Sequence, residues 1–326
     1  MQADLTAATP ERAPRRILLA NPRGFCAGVD RAIEIVNKLL DIHEGPIYVR
    51  KEIVHNRDVV ARFQARGVVF VEEVDDVPEG SLLVFSAHGI SPEVRRVAAD
   101  RRLHVIDATC PLVSKVHLEA IKFAKDGLFV LLVGHKHHDE VAGTLGEIPG
   151  RIGLVETVEE AATVEVPDPG RVAVVTQTTL SIDDTREIIE ALRRRFPALV
   201  TPTKDDICYA TQNRQEAVKA LAAVTDLILV VGSENSSNSQ RLRECAVQAG
   251  TPAHLIDEPG AVDPAWVADK HAIGVTAGAS SPEYLVQAIV DRMLDLGDFA
   301  VEDFGRREPA IVFTPPRELA NVRSAG

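Results

Sequence analysis

The chain has 326 residues, 45% of them hydrophobic, and a net charge of −12. That length and apolar content suit two or three packed units, not a disordered chain. The acidic balance argues against a nucleic-acid or anionic-membrane partner, which needs a basic stripe, and no apolar run approaches the ~18 residues of a membrane span.

Residues 1–15 have no apolar stretch of the kind a secretory leader carries and are expected to form a loose tail on a cytoplasmic protein. The first strand and turn, RILLANPRGFC, run into Cys26. Behind it Val29, Ala32, Ile33, Val36 and Leu40 recur at helical spacing. The apolar run IYVRKEIV then ends in the polar loop HNRD at His55. A helical segment closes at Gly67, the short strand VVFV follows, and a further strand ends in SAHGISP at His88.

The same order then repeats. LHVIDATC leads into Cys110, and Pro111 fits a first helical turn, where a missing N–H is harmless. Val113, Val116, Ala120 and Ala124 mark the helix, LFVLLV the strand and GHKHHDE its loop. IGLV and TQTTLSID complete the unit. A third pass runs from LVTPTKDDIC at Cys208 through Ala217, Val218 and Leu221, LILVV, the loop GSENSSNS, AHLI and TAGASSP. His55, His138 and Ser236 follow their cysteines by 29, 28 and 28 residues; His88, Thr178 and Ser280 follow by 62, 68 and 72. The basic runs Arg101–Arg102 and Arg193–Arg195 read as solvated helix ends.

Periods of this length exceed solenoid repeats and predict an α/β fold of three pseudo-equivalent small lobes with parallel sheets. The expected division is a tail at 1–15, lobes at 16–109, 110–207 and 208–312, and a C-terminal tail at 313–326. In open parallel sheets, functional groups gather where strands end, so lobes around a common axis bring three cysteines and six polar loops together. Cys245 has no counterpart and is expected to be an ordinary packed or surface thiol.

Three thiols at helix entrances are expected to have depressed pKa values and to favour a soft metal. Zinc in a Cys₃His site and an iron–sulfur cluster both fit that chemistry. Zinc ligands usually come in close pairs along the chain, whereas single ligands from three remote lobes suit a larger object, and a four-iron cubane on three cysteines keeps one iron open. The remaining loops suit an anion: Ser236, Ser237 and Asn238 precede a helix, and Ser280 repeats the arrangement. His55, His88 and His138 are expected to add positive charge or hydrogen-bond donors. The triplet in GHKHHDE is therefore read as part of an anion pocket, not as a metal site, with His135 and His137 on the surface. Glu140 is a candidate general acid, which Thr178 would orient; as an alternative it is a helix-start charge favoured by the dipole. No GxGxxG or P-loop motif is present, so electrons for any reduction come from a partner.

Taken in order, GFCAGV, VHN, SAHG, DATCPLV, GH…E, TQTTLS, DDICYAT, NSSNS and TAGAS resemble the 4-hydroxy-3-methylbut-2-enyl diphosphate reductase family, over roughly residues 17–315. This family acts last in the methylerythritol phosphate route to isoprenoids. The resemblance implies a trefoil of lobes around a [4Fe–4S] cluster held by Cys26, Cys110 and Cys208. It implies a substrate diphosphate held by His55, His88, His138, Ser236, Ser237, Asn238 and Ser280, with the substrate hydroxyl at the open iron near Glu140 and Thr178. The implied reaction is a reductive dehydroxylation with two electrons and two protons, fed by ferredoxin or flavodoxin and its reductase. Asp139 stands where the family often has proline, and as a second acid beside Glu140 it is expected to shift that residue's pKa. A non-enzymatic iron–sulfur redox sensor, a hydrolase or dehydratase on the same cluster, and a zinc protein are the rival readings.

Overall fold

The computed structural model describes residues 15–322, so most of the expected N-terminal tail, and 323–326 of the C-terminal one, lie outside the described residues. After β1 (Arg15–Asn21), the first lobe comprises α1 (Ala27–Ile42), β2 (Ile47–Arg50), α2 (Arg57–Ala65), β3 (Val68–Val71), β4 (Leu82–Phe85), α3 (Pro92–Asp100) and β5 (His104–Asp107). The second has α4 (Pro111–Lys125), β6 (Phe129–Val133), α5 (Asp139–Glu147), β7 (Ile152–Val155), α6 (Val158–Thr163), β8 (Val172–Thr176) and α7 (Ile182–Arg195). The third has α8 (Tyr209–Ala222), β9 (Leu227–Val231), α9 (Ser237–Gln248), β10 (Ala253–Ile256), α10 (Pro264–Val267), β11 (Ala272–Ala277), α11 (Glu283–Asp295) and β12 (Phe299–Gly305).

The repeat read from the sequence is a repeat of topology. The sheets run β3-β2-β4-β5, β7-β6-β8 and β10-β9-β11-β1-β12, and every strand pairing in them is parallel. In each, the first strand after the cysteine lies between the second and the third. Each sheet carries apolar clusters on both faces, which is why its strands read as unbroken apolar runs. In α1 the core-facing stripe is Val29, Ala32, Ile35, Val36 and Leu39, so Ile35 and Leu39 take the places expected for Ile33 and Leu40.

The strand that leads into each cysteine completes the preceding lobe's sheet. β5 precedes Cys110 and pairs with β4 of the first lobe. Val200 precedes Cys208 and bridges to Ala173 of the second. β1 precedes Cys26 and lies between β11 and β12 of the third. The expected lobe boundary at residue 16 is therefore corrected: β1 belongs to the third sheet, where Ile17, Leu18, Leu19 and Ala20 are all buried. β12, which the sequence analysis did not anticipate, covers the other edge of β1. Residues 313–322 are not a free tail either. A short 3₁₀ turn at Arg317–Asn321 seats Leu319 in the core of the first lobe. Each cysteine thus stands at a seam between two lobes, at the carboxyl end of one sheet and the start of the next lobe's first helix.

Candidate active site

Cys26, Cys110 and Cys208 are the N-cap residues of α1, α4 and α8. Their backbone N–H groups donate to equivalent carbonyls of the loop after the preceding lobe's third strand (β11, β4 and β8): Ala279 at 3.2 Å, Ala87 at 2.9 Å and Thr178 at 3.0 Å. The matched bonds fix the three loops in one register. In that register Thr179, not Thr178, stands where His88 and Ser280 stand; the count of residues from the cysteines had paired them with Thr178.

All four cysteines are free, and Cys245 is buried in the core of the third lobe. A Cβ placed on Gly28 would lie 2.6 Å from the Cys110 sulfur and 3.9 Å from the Cys26 sulfur, so the cradle between them admits only glycine. The Cys208 sulfur accepts from Thr211 N–H at 3.4 Å. Burial pushes the Cys110 thiol up to about 12 and the Cys208 thiol to about 11, and repulsion from Cys26 adds to both. This corrects the expectation of depressed values for Cys110 and Cys208: burial in a dry cavity outweighs the helix-entrance effect. The chain alone favours thiols at these two, so a thiolate-binding metal must displace their protons. Three soft donors from three lobes around a glycine cradle fit a cluster better than a close-paired zinc site.

Beside the sulfurs, His55 and His88 stack with centroids 3.8 Å apart, and His138 stands edge-on to both, at 5.4 and 5.9 Å. Nδ1 of His55 lies 3.0 Å from Glu52, which also accepts from Asn235. His138 caps α5, its Nδ1 accepting from Glu140 N–H at 3.2 Å, so the neutral ring carries its proton on Nε2. Among the described residues, Nδ1 of His88 is buried with no hydrogen-bond partner. Burial pushes His88 well below the usual histidine range and His138 to about 3, with the neighbouring imidazoles adding to both. These two are therefore neutral donors in the free protein and not the standing positive charges the sequence suggested. His137 is exposed and His135 half-buried. Among the described residues, Asp139 is the one member of the GHKHHDE loop that joins a trio with metal-binding spacing, with His55 and His88, and its carboxylate is taken by an ion pair with Lys51.

Ser236 caps α9, and its hydroxyl lies 3.3 Å from that of Ser280, which donates to His55 O. Ser237 meets Thr179 at 3.1 Å. The Asn238 carboxamide accepts from Ala279 N–H and donates to Thr211, tying this helix start to the Cys208 corner. The hydroxyls and free N–H groups of α9 form the kind of helix entrance that holds phosphate oxygens.

Glu140 is 2% exposed and is gripped by Thr178. Burial pushes its carboxyl up to about 7, against the pull of the Thr178 bonds and with help from Asp206. The expected influence of Asp139 falls elsewhere, since Asp139 is neutralised by Lys51 and acts on His138. All twelve residues nominated from the sequence line one cavity of about 90 Å³, together with Thr179, Thr211 and Gly28.

Residues 17–294 match the family model described as LytB protein. The chain is 57% identical over 308 residues to a 4-hydroxy-3-methylbut-2-enyl diphosphate reductase of Hahella chejuensis, covering 93% of this chain and 97% of that protein. It is 54% identical over 320 residues to the Bordetella pertussis protein of the same name, covering 98% and 97%. Among solved structures, the E-1-hydroxy-2-methyl-but-2-enyl-4-diphosphate reductase of Plasmodium falciparum superposes with a TM-score of 0.90 at 38% identity, covering 94% of this chain and 98% of that one.

Proposed function

The chain belongs to the LytB protein family, and we propose that it is an iron–sulfur reductase acting on (E)-4-hydroxy-3-methylbut-2-enyl diphosphate. Two electrons and two protons remove the hydroxyl as water, and the allylic skeleton leaves as isopentenyl or dimethylallyl diphosphate. The observation that carries this reading is the meeting of three cysteine-capped helices with an anion pocket and a buried acid in one cavity.

We assign to Cys26, Cys110 and Cys208 a [4Fe–4S] cluster, which when bound supplies electrons and a Lewis acid. The chain's own residues do the rest. His55, His88, His138, Ser236, Ser237 and Ser280 offer donors to the diphosphate, which tethers the allyl group so that it cannot drift. Asn238 holds the pocket's two walls together. Glu140, protonated near neutral pH and oriented by Thr178, delivers a proton to the departing oxygen, because hydroxide is a poor leaving group. The apolar lining, with Val29, Val54 and Val113 among it, keeps bulk water from competing.

Electrons come from a separate acidic carrier, ferredoxin or flavodoxin, served by its reductase. We place the enzyme in the cytoplasm, a setting that four free cysteines suit; among the described residues no helix is long and apolar enough to cross a membrane. A redox sensor on the same cluster would not need the phosphate-type loops. The test is product analysis on anaerobically prepared protein. Conversion that depends on added reductant is expected. Turnover without reductant, or failure to bind diphosphate, would contradict the reading.

A further inference from the structure

Three cations occupy matching places behind the cysteines. Arg31 follows Cys26 by five residues, Lys115 follows Cys110 by five, and Arg214 follows Cys208 by six. Each reaches across its own lobe to the loop that leads out of it and delivers the next cysteine. Arg31 donates to Thr109 O at 3.1 Å and Asp107 O at 3.5 Å, just before Cys110. Lys115 donates to Lys204 O at 2.9 Å, Asp205 O at 3.1 Å and the Asp206 carboxylate at 2.9 Å, just before Cys208. Arg214 donates to Gly24 O at 2.8 Å and Phe25 O at 3.2 Å, just before Cys26. The three grips form a closed cycle: the first lobe's helix holds the approach to Cys110, the second's the approach to Cys208 and the third's the approach to Cys26.

The cations are held firmly. Arg31 is 8% exposed and Arg214 is fully buried. Arg214 also pairs with Glu308, and Lys115 with Glu119 and Asp206. With carboxylates alongside, these two present little net charge to the sulfurs. What they fix is distance. A helix that carries one sulfur at its cap is bolted to the backbone that carries the next.

We propose that Arg31, Lys115 and Arg214 are positioning residues that set the spacing of the three sulfurs and so the grip on the cluster. This rests on the reading that the three cysteines hold that cluster. The test compares wild type, Lys115→Met, Lys115→Arg and Arg214→Met after anaerobic reconstitution. It reads iron and sulfide per chain and the rate at which the colour bleaches in air. Met293→Ala, in the third-lobe core and away from the cysteines, serves as a destabilised control.

Lys115→Met is expected to bleach at least about tenfold faster than wild type, the lower end of what loss of an outer-shell partner costs a metal site. Lys115→Arg should restore most of the retention, and Met293→Ala should bleach at the wild-type rate despite a lower melting temperature. Should buried Arg214→Met fail to fold, the part-exposed Lys115 decides the matter. Wild-type retention in Lys115→Met, or equally fast loss in Met293→Ala, would overturn the ring while leaving the cluster assignment standing. A wild-type chain that takes up no iron or sulfide would overturn the cluster assignment, and the ring with it.

Discussion

Thr178 donates twice to Glu140, through its backbone N–H at 2.6 Å to Oε1 and through its hydroxyl at 3.0 Å to Oε2. The two bonds favour the ionised carboxyl, yet burial wins and holds it near pH 7. An acid poised there can give up a proton at physiological pH and regain it, which suits a general acid.

Replacing Glu140 by Gln keeps both contacts, since the amide oxygen accepts from the N–H and the threonine hydroxyl can turn to accept from the amide. Only the proton is lost. Glu140→Gln is expected to lower turnover by roughly 10²–10⁴-fold, the usual contribution of a positioned acid, with diphosphate affinity little changed. Steady-state kinetics beside a binding titration check both.

The same substitution probes stability. The folded-state pKa of Glu140 is raised from 4.5 to about 7. Its contribution is therefore present in full below pH 4.5 and is lost as pH rises through 7. The iron-free Gln variant should gain on wild type across that window, by on the order of 3 kcal/mol above it. Denaturant titrations at pH 4.5 and pH 8 give the difference. A constant gap would contradict the burial argument.

His88 and His138 are neutral because burial, and then the nearby His55 imidazole, oppose their charge. A bound diphosphate reverses that balance. Ligand binding should take up protons, and affinity should strengthen as pH falls from 8 to 6. Calorimetry of diphosphate binding in two buffers of different ionisation enthalpy measures the uptake directly. Equal heats in both would show that the histidines stay neutral.

Gly28 offers a purely steric test. A methyl group there would sit 2.6 Å from the Cys110 sulfur. Gly28→Ala is expected to keep the fold, at a cost of about 1–3 kcal/mol for overpacking, but to take up much less iron. Circular dichroism and iron analysis separate the two effects.

Much of this was legible in the sequence for a local reason. A strand, a polar turn, a cysteine and an amphipathic helix form a contiguous pattern, and its threefold recurrence identified Cys26, Cys110 and Cys208 as helix caps. What stayed hidden depends on partners distant in the chain. RILLAN shows that β1 is buried on both faces, but not that it lies between β11 and β12. Thr179 was missed because the second loops follow their cysteines by 62 to 72 residues, a spread that does not separate Thr178 from Thr179, and the cysteine N–H bonds reveal the true register. The direction of the thiol pKa values depends on how dry the cavity is, and no helix-entrance rule contains that. Arg31, Lys115 and Arg214 look like ordinary helix charges until the carbonyls they hold are known.

The most direct measurement is iron and sulfide content, with electron paramagnetic resonance of the reduced protein, for wild type and for Cys26→Ser, Cys110→Ser and Cys208→Ser. We expect about four irons and four sulfides per wild-type chain, in keeping with a [4Fe–4S] cluster, and a signal that changes on adding the diphosphate substrate. Each serine variant should lose most of both. A serine variant that retains full iron and an unaltered signal would mean that its cysteine is no ligand, and the proposed centre would not exist.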